Sequence, residues 1–273
     1  MIHSPKELKE LCAKYSLTPS KQYGQHYLIS ETPIHKMVEA AGIEPGDTVV
    51  EVGPGFGILT TAVAEKAGRV MTFEIEKKLA PYWEVMGKTY PNVEVIWGNV
   101  LTQFDRYAHT FPPEYIVVAN LPYQITSQAI RIFLESAHPP KRMVVMIQKE
   151  VAERIVAKPS DMSVLSVSVQ YFGTPRIVTK VSGGSFWPIP KVDSAVIAID
   201  HIHAQPKSEE FFRIVRAGFH NKRKQLWRNL ADALSIPKER VQEVLLQVKQ
   251  NEKVRAEEVS VEEWRRIVEL LSE

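Results

Sequence analysis

The chain has 273 residues, of which 44% are hydrophobic and 24% charged, and its formal net charge at pH 7 is +2. This length suits one large domain with a buried core and one small domain. The single cysteine, Cys12, excludes an internal disulfide and a cysteine-based metal cluster. The sequence contains no apolar stretch that suits a signal peptide or a membrane span, so we expect a cytoplasmic protein without a membrane partner.

Short apolar runs alternate with helical patterns between residues 48 and 200. This alternation predicts an α/β fold with a doubly wound, mostly parallel sheet. Strands are predicted at residues 48–52, 70–75, 93–97, 115–119 and 143–147. Two closely spaced strands, at 175–181 and 192–200, predict an antiparallel, hairpin-like end of the sheet. The β-branched residues of 165–172 favour a strand, but periodicity alone does not distinguish it from a buried helix.

Helical patterns replace the strand pattern after residue 204. Ser208 and Ser260 are each followed by acidic residues within three positions and predict helix starts, and Pro237 marks a break between them. We therefore predict two domains, residues 1–204 and residues 205–273, of which the second is small and entirely helical.

Three glycines, Gly53, Gly55 and Gly57, follow the strand predicted at 48–52 and precede a helical pattern. A glycine at such a turn lets the backbone approach a ligand closely, although the turn can also be purely structural. The dinucleotide fingerprint needs a glycine where this chain has Ile58, which disfavours a nicotinamide site.

Two polar residues follow the next strands at the same predicted sheet edge. Glu74 ends a strand where a carboxylate can accept hydrogen bonds from both ribose hydroxyls of an adenosine. Asn99 follows the next strand and can bond an adenine ring, although an ordinary turn asparagine is the alternative. Together with the glycines, these residues predict an adenosine-containing ligand.

The sequence Asn-Leu-Pro-Tyr at residues 120–123 ends the next strand. An adenine amine is a poor nucleophile and the sulfonium of S-adenosylmethionine a strong electrophile, so methyl transfer between them depends mainly on positioning. The Asn120 side-chain oxygen and the Leu121 carbonyl can accept two hydrogen bonds from the amine, and Tyr123 can stack on an extruded base. A proline-stiffened loop without a chemical role is the alternative.

Further motifs occur at residues 21–28 (Lys-Gln-Tyr-Gly-Gln-His-Tyr-Leu), 148–154 (Gln-Lys-Glu-Val-Ala-Glu-Arg) and 186–195 (Phe-Trp-Pro-Ile-Pro-Lys-Val-Asp-Ser-Ala). With the glycine loop and residues 120–123, they resemble the KsgA-type small-subunit ribosomal RNA adenine dimethyltransferases, relatives of the erythromycin-resistance methyltransferases. The resemblance covers about residues 21–230. It implies a Rossmann-like methyltransferase fold, S-adenosylmethionine as cofactor, and dimethylation of the N6 amino groups of two adjacent adenines near the 3′ end of small-subunit ribosomal RNA, contributing to subunit maturation.

The resemblance also implies roles for individual residues. Gln25, His26 and Leu28 would cover the methionine and ribose part of the cofactor, and Phe186 would face Tyr123 across the base pocket. No metal is expected. The predicted catalytic residues are Asn120, Leu121, Pro122, Tyr123 and Phe186, and the predicted cofactor-binding residues are Gln25, His26, Leu28, Gly53, Gly55, Glu74, Asn99 and Asn120.

The chain departs from the family pattern at two of these positions. His26 stands where the family usually has asparagine, and Asn99 stands where it usually has aspartate. Because Asn99 lacks the negative charge that suits an adenine amine, we expect weaker cofactor affinity. Residues 159–163 also look shorter than the family's loop, and the resemblance implies a helix at 165–172.

Between Phe211 and Leu230 the chain carries six Lys or Arg residues and no Asp or Glu. A run of one sign favours phosphate contact over a solvated helix face, which normally mixes signs. The family places RNA-contacting arginines in residues 221–230. The predicted RNA-binding residues are Lys21, Arg216, Lys222, Arg223, Lys224 and Arg228, and the predicted partners of a monomeric protein are small-subunit ribosomal RNA and the immature small subunit.

Two other functions stay open. One is methylation of large-subunit RNA in the manner of the erythromycin-resistance enzymes, against which residues 190–195 argue. The other is a ribosome-assembly factor that binds the immature small subunit and whose catalysis is incidental or lost, which the departures at His26 and Asn99 keep open.

Overall fold

A seven-stranded sheet with flanking helices is the main feature of the computed structural model, which describes residues 4–19, 26–205 and 208–272. Lys21 and Gln25, two predicted site residues, lie outside the described residues. The strands are β1 (Tyr27–Leu28), β2 (Thr48–Val52), β3 (Arg69–Glu74), β4 (Val93–Trp97), β5 (Ile116–Asn120), β6 (Arg142–Gln148), β7 (Thr174–Val181), β8 (Phe186–Trp187) and β9 (Ser194–Asp200). The α-helices are α1 (Pro5–Lys14), α2 (Glu31–Ala41), α3 (Ile58–Ala64), α4 (Ala80–Thr89), α5 (Val100–Ala108), α6 (Thr126–Leu134), α7 (Lys149–Ile155), α8 (Val164–Phe172), α9 (Ser208–Gly218), α10 (Leu226–Leu234), α11 (Lys238–Lys249) and α12 (Val261–Ser272).

The sheet has the strand order β4-β3-β2-β5-β6-β9-β7. The pairs among β2 to β6 are parallel, which confirms the predicted doubly wound, mostly parallel sheet. The chain builds outwards from β2 to β4 and then returns to the other side of β2 with β5. Ligands of open α/β sheets bind where the strand order reverses in this way, so the residues that follow β2 and β5 are placed at the expected site.

The end of the sheet is antiparallel, as predicted. Strand β9 pairs with β6 on one side and with β7 on the other, both antiparallel. The middle strands are buried on both faces, as in other parallel sheets, and Val117, Val145 and Ile197 are at most 1% exposed.

Residues 164–172 form helix α8, as the family resemblance implied and against their strand propensity. Ser163 caps the helix, because its hydroxyl accepts a hydrogen bond from the Ser166 amide (3.3 Å). The Ser166 hydroxyl accepts one from the Ser163 amide (2.5 Å), which completes a reciprocal capping box. This local bonding at the helix start opposes the preference of the β-branched residues for a strand.

The chain divides into two compact units. The sheet unit comprises Met1–Ala152 and Thr174–Ala204, and the helical unit comprises Glu153–Gly173 and Gln205–Glu273. The sequence analysis placed residues 153–173 in the first domain, but they pack within the helical unit, where the Tyr171 ring stacks on Phe211 at 3.9 Å. No strand is assigned in the described part of the helical unit.

Helices α9 and α12 begin next to the predicted starts. In α12, the Ser260 hydroxyl accepts a hydrogen bond from the Glu263 amide (3.3 Å), and the Glu263 carboxylate accepts one from the Ser260 amide (2.8 Å). Along the described chain, every helix is too short or too polar to cross a membrane.

Candidate active site

A pocket in the sheet unit is lined by the residues that follow β2, β3 and β5 and by parts of β1 and β8. The strand order places the ends of β2 and β5 side by side, so two motifs far apart in sequence meet there. The pocket brings together most of the predicted site residues, namely His26, Leu28, Gly53, Gly55, Glu74, Asn120, Leu121, Pro122, Tyr123 and Phe186.

The glycine loop turns tightly after β2. Gly53 has a φ of +74° and Gly55 a φ of +54°, a conformation that other residues adopt only with strain. A Cβ at Gly53 would have no neighbour within 4 Å, so open space lies beside this backbone. A Cβ at Gly55 would lie 3.2 Å from the Tyr27 ring. The loop thus packs against Tyr27 at Gly55 and stays open to a ligand at Gly53.

Glu74 holds the glycine loop from the end of β3. Its carboxylate accepts hydrogen bonds from the Gly55 amide (3.1 Å) and from the Glu76 amide (2.7 Å), one on each oxygen. Burial raises the pKa of Glu74, and the backbone donors act in the opposite direction because they favour the charged form. A carboxylate has about four acceptor positions, so Glu74 keeps capacity for further donors from a ligand.

Asn99 is not among the residues that line the pocket. Its side-chain oxygen accepts a hydrogen bond from the Leu101 amide (3.0 Å) and caps α5. Its role towards adenine stays a prediction. Ile75, which the sequence analysis did not select, lines the pocket beside Glu74 and is 44% exposed. The exposure of this large apolar side chain beside Glu74 marks Ile75 as a pocket residue. Exposure could not be read from the sequence alone.

Glu51 lies near the end of β2, lines the pocket and is 2% exposed. Its Oε2 and the hydroxyls of Thr60 and Thr72 have no hydrogen-bond partner among the described residues. Burial raises the pKa of Glu51 to about 8 and the negative charge of Glu74 adds to this, while the nearby Thr60 and Thr72 hydroxyls oppose it without reaching hydrogen-bond geometry. Glu51 is therefore mostly protonated at neutral pH.

Residues 120–123 project into the pocket from the end of β5. The Leu121 amide donates to the Met146 carbonyl (3.1 Å), and the Pro122 carbonyl accepts from the Ile125 amide (3.1 Å), so the backbone of this motif is fixed. Among the described residues, nothing donates to the Asn120 side chain or to the Leu121 carbonyl. Two acceptors at the pocket therefore stay available to a bound molecule.

Three aromatic rings flank these acceptors. The Tyr123 hydroxyl bonds the Ser194 hydroxyl (2.9 Å), and burial raises the Tyr123 pKa. The His26 ring stacks on the Tyr123 ring with a centroid distance of 6.0 Å. Phe186 lines the same pocket and is otherwise buried.

A second cleft, in the helical unit, is lined by cations. Arg223, Lys224 and Arg228 were predicted to bind RNA, and Lys253 and Arg255 join them there. The sequence analysis missed the last two because acidic residues surround them in the chain. The predicted Arg216 and Lys222 are exposed but do not line this cleft.

A buried asparagine organises the loop that carries these cations. The Asn229 amide, 4% exposed, donates to the carbonyls of Gly218 (2.7 Å) and Asn221 (2.9 Å). The Leu226 amide donates to the Val254 carbonyl (2.8 Å), which ties the loop to the segment that holds Lys253 and Arg255.

Comparison with known proteins gives a consistent assignment. The family model described as "Ribosomal RNA adenine dimethylase" matches residues 17–273. The chain is 40% identical over 265 residues to "Ribosomal RNA small subunit methyltransferase A" of Dehalococcoides mccartyi, covering 96% of this chain and 91% of the relative. It is also 40% identical to the protein of that name from Alkaliphilus oremlandii, covering 96% and 95%.

Two solved structures are similar to this chain over about nine tenths of its length. A dimethyladenosine transferase from Plasmodium falciparum is similar with a TM-score of 0.75 and 27% identity, covering 89% of this chain and 96% of that one. The 23S rRNA methyltransferase ErmE is similar with a TM-score of 0.73 and 28% identity, covering 90% and 100%.

Proposed function

Because the chain belongs to the ribosomal RNA adenine dimethylase family, we propose that it dimethylates the N6 amino groups of two adjacent adenines near the 3′ end of small-subunit ribosomal RNA. The methyl donor is S-adenosylmethionine. The observation that carries the proposal is the pair of acceptors at Asn120 and Leu121. They have no donor among the described residues, and both residues line a pocket built from the family's motifs.

The residues of the pocket fit S-adenosylmethionine. Gly53 offers an open, left-handed backbone against which the cofactor would pack, and Glu74 would accept hydrogen bonds from its ribose hydroxyls. When bound, the cofactor supplies a methyl group on a positively charged sulfur. Leu28, at the end of β1, and His26, just before β1, would cover the cofactor. Asn99 caps α5 through its oxygen, so its N–H groups remain donors towards the adenine ring.

The target adenine binds between Tyr123 and Phe186. Asn120 Oδ1 and the Leu121 carbonyl each accept a hydrogen bond from the N6 amine, which directs the nitrogen lone pair towards the methyl group. No strong base is needed, because the N6 proton would leave to solvent only after the methyl group has left the donor sulfur and bonded to N6. Dimethylation requires the monomethylated amine to bind again, with its methyl group beside Asn120.

The helical unit supplies the RNA interface through Arg223, Lys224, Arg228, Lys253 and Arg255. Their charges contact phosphates, which position RNA without specifying its sequence. Arg216 and Lys222, which are exposed on the same unit, are further proposed contacts, and Lys21, outside the described residues, stays a predicted one. The partner is the immature small ribosomal subunit, bound in the cytoplasm by a monomer.

The similarity to ErmE raises the question of which ribosomal subunit is the substrate. The fold does not distinguish the two types, because the TM-scores of 0.75 and 0.73 are nearly equal. The sequence relatives do favour one type, since proteins about 40% identical over most of their length carry the name of a small-subunit methyltransferase.

Transfer of radiolabelled methyl groups tests the proposal. Small subunits that lack the modification, naked small-subunit RNA and large-subunit RNA are compared as acceptors. We expect up to four methyl groups per small subunit, two on each adenine, and little transfer to large-subunit RNA. Transfer only to large-subunit RNA supports an erythromycin-resistance type enzyme, and binding of small subunits without transfer supports an assembly factor.

Asn120→Ala tests the site in the same assay. We expect methyl transfer to fall at least ~100-fold, because the amine loses one of its two acceptors and its orientation. Subunit binding should persist. Gln124→Ala, at an exposed position in the same loop, is the matched control and should keep full activity. An active Asn120→Ala protein contradicts the assigned role.

A further inference from the structure

Residues 26–29, here called the strap, run antiparallel to residues 185–188, here called the aromatic loop. Tyr27 pairs with Trp187, Leu28 pairs with Phe186, and the Ile29 amide donates to the Ser185 carbonyl (2.8 Å). Both segments contribute to the lining of the pocket. The strap thus joins the cofactor cover to the segment that carries one wall of the proposed adenine site.

At the next position the pairing depends on a side chain. Pro188 has no N–H, so it cannot donate a backbone hydrogen bond to the strap. Instead, Nδ1 of His26 lies 2.7 Å from the Pro188 carbonyl oxygen. A carbonyl oxygen only accepts, so Nδ1 carries the proton in this contact. His26 therefore extends the pairing by one position through its ring.

The same ring also contacts the opposite wall of the pocket. It stacks on Tyr123 at a centroid distance of 6.0 Å and an interplanar angle of 29°. The Tyr123 hydroxyl is fixed by a hydrogen bond with the Ser194 hydroxyl (2.9 Å between the two oxygens). His26 thus connects Tyr123 to the aromatic loop, and Phe186 belongs to that loop.

We propose that His26 is a positioning residue that sets the spacing between Tyr123 and Phe186 through two simultaneous contacts, a hydrogen bond to Pro188 and a ring stack on Tyr123. This role rests on the proposed function and names a further determinant of its adenine site. Asparagine in this place makes only the first contact, because its amide N–H reproduces the Nδ1 donor but it has no ring. The rate of methyl transfer to a weak nucleophile depends on how well the nucleophile is positioned. Loss of His26 should therefore lower kcat more than it lowers cofactor affinity.

Three substitutions separate the two contacts. His26→Asn keeps the donor and loses the ring, His26→Phe keeps the ring and loses the donor, and His26→Ala loses both. His35→Ala, an exposed histidine on α2, is the matched control. Thermal unfolding of each variant verifies that the protein is folded.

The readouts are kcat and KM for undermethylated small subunits, the Kd of S-adenosylhomocysteine without RNA, and the fluorescence of RNA with 2-aminopurine at the target position. We expect kcat to fall about three- to tenfold in His26→Asn and His26→Phe, in line with loss of one weak contact, and ~100-fold in His26→Ala. Because His26 also covers the cofactor, the Kd of S-adenosylhomocysteine should rise, but by a smaller factor than kcat falls. The change in 2-aminopurine fluorescence when the base binds in the pocket should become smaller in the same order.

Specific results overturn the proposal. If His26→Asn or His26→Phe matches the wild type in kcat, the two-contact role is wrong. If His26→Ala loses affinity for S-adenosylhomocysteine as strongly as it loses kcat, the residue acts through the cofactor it covers, and the spacing role is wrong. A wild type that transfers no methyl group to any RNA refutes the proposed function itself, which is a different outcome from active wild-type protein with unaffected variants.

Discussion

At the residue scale, the Glu51 carboxyl is a buried acid whose surroundings favour its neutral form. It has an unpartnered oxygen, and the charge of Glu74 opposes its ionisation. Burial raises its pKa from an ordinary value of 4.5 to about 8. Between these two pH values the folded protein keeps a proton that the unfolded chain releases, so the free energy of unfolding falls as the pH rises.

Glu51→Gln should remove this pH dependence. The slope that Glu51 adds is at most ~1.4 kcal/mol per pH unit within the window. We expect the free energy of unfolding of the variant, relative to the wild type, to increase steadily from about pH 5 to about pH 8. Urea denaturation at several pH values measures it. Glu84→Gln, at an exposed position on α4, should show no trend, and a pH-independent difference for Glu51→Gln contradicts the raised pKa.

Most residues of the candidate pocket were predictable because short motifs carry them. Gly53 follows a strand, Glu74 and Asn120 each end one, and the sequence already predicted these strands, whose ends meet at one sheet edge. Asn99 follows a strand in the same way, yet its side chain caps a helix. Strand position alone does not separate these outcomes, because an asparagine side chain after a strand can either cap the next helix or line a ligand pocket.

At the element scale, strand prediction succeeded wherever an apolar run was short and bounded by polar residues. The strands at 48–52 and 93–97 match the structure, and the other predicted sheet strands agree within two residues. The segment 165–172 stayed ambiguous because its apolar residues fit either a strand or a buried helix. In the structure a capping box at Ser163 favours the helix. The contacts of Tyr171 with Phe211, far away in sequence, were not predictable from local patterns.

The loop between α9 and α10 gives a prediction at this scale. Asn229→Ala leaves the carbonyls of Gly218 and Asn221 without their donor, in a largely buried place. We expect the free energy of unfolding to fall by ~1–3 kcal/mol, the cost of unsatisfied buried groups. RNA affinity should also fall, because the loop presents Arg223 and Lys224. Chemical denaturation and filter binding measure the two effects.

The matched control for this loop is Gln247→Ala, which removes an exposed amide from α11 of the same unit. It should change neither quantity. If Asn229→Ala lowers stability but leaves RNA affinity intact at a temperature where the protein is folded, the loop does not present the RNA-binding cations.

At the scale of the whole molecule, charge is nearly balanced, with 34 Lys and Arg residues against 32 Asp and Glu residues. A balance of this kind gives little long-range attraction to RNA, so affinity has to come from local clusters. The cleft of Arg223, Lys224, Arg228, Lys253 and Arg255 is such a cluster. Some of its charge is already compensated, because Lys224 lies 3.4 Å from Asp232 and Arg255 lies 3.8 Å from Glu257.

Replacing Arg223 and Lys224 together by alanine tests whether this cluster binds phosphates. The logarithm of the affinity falls with the logarithm of the salt concentration, and each lost phosphate contact makes this slope less steep by about 0.7 to 0.9. We therefore expect the slope to become less steep by roughly 1 to 2. The loss of affinity should be largest at low salt and similar for RNAs of different sequence, since phosphate contacts do not read bases. Binding titrations over a range of salt concentrations measure both.

The double variant Lys6→Ala and Lys9→Ala changes the net charge equally on the exposed face of α1 and should keep the slope. An equal effect of both double variants means that net charge, not the cleft, governs RNA binding.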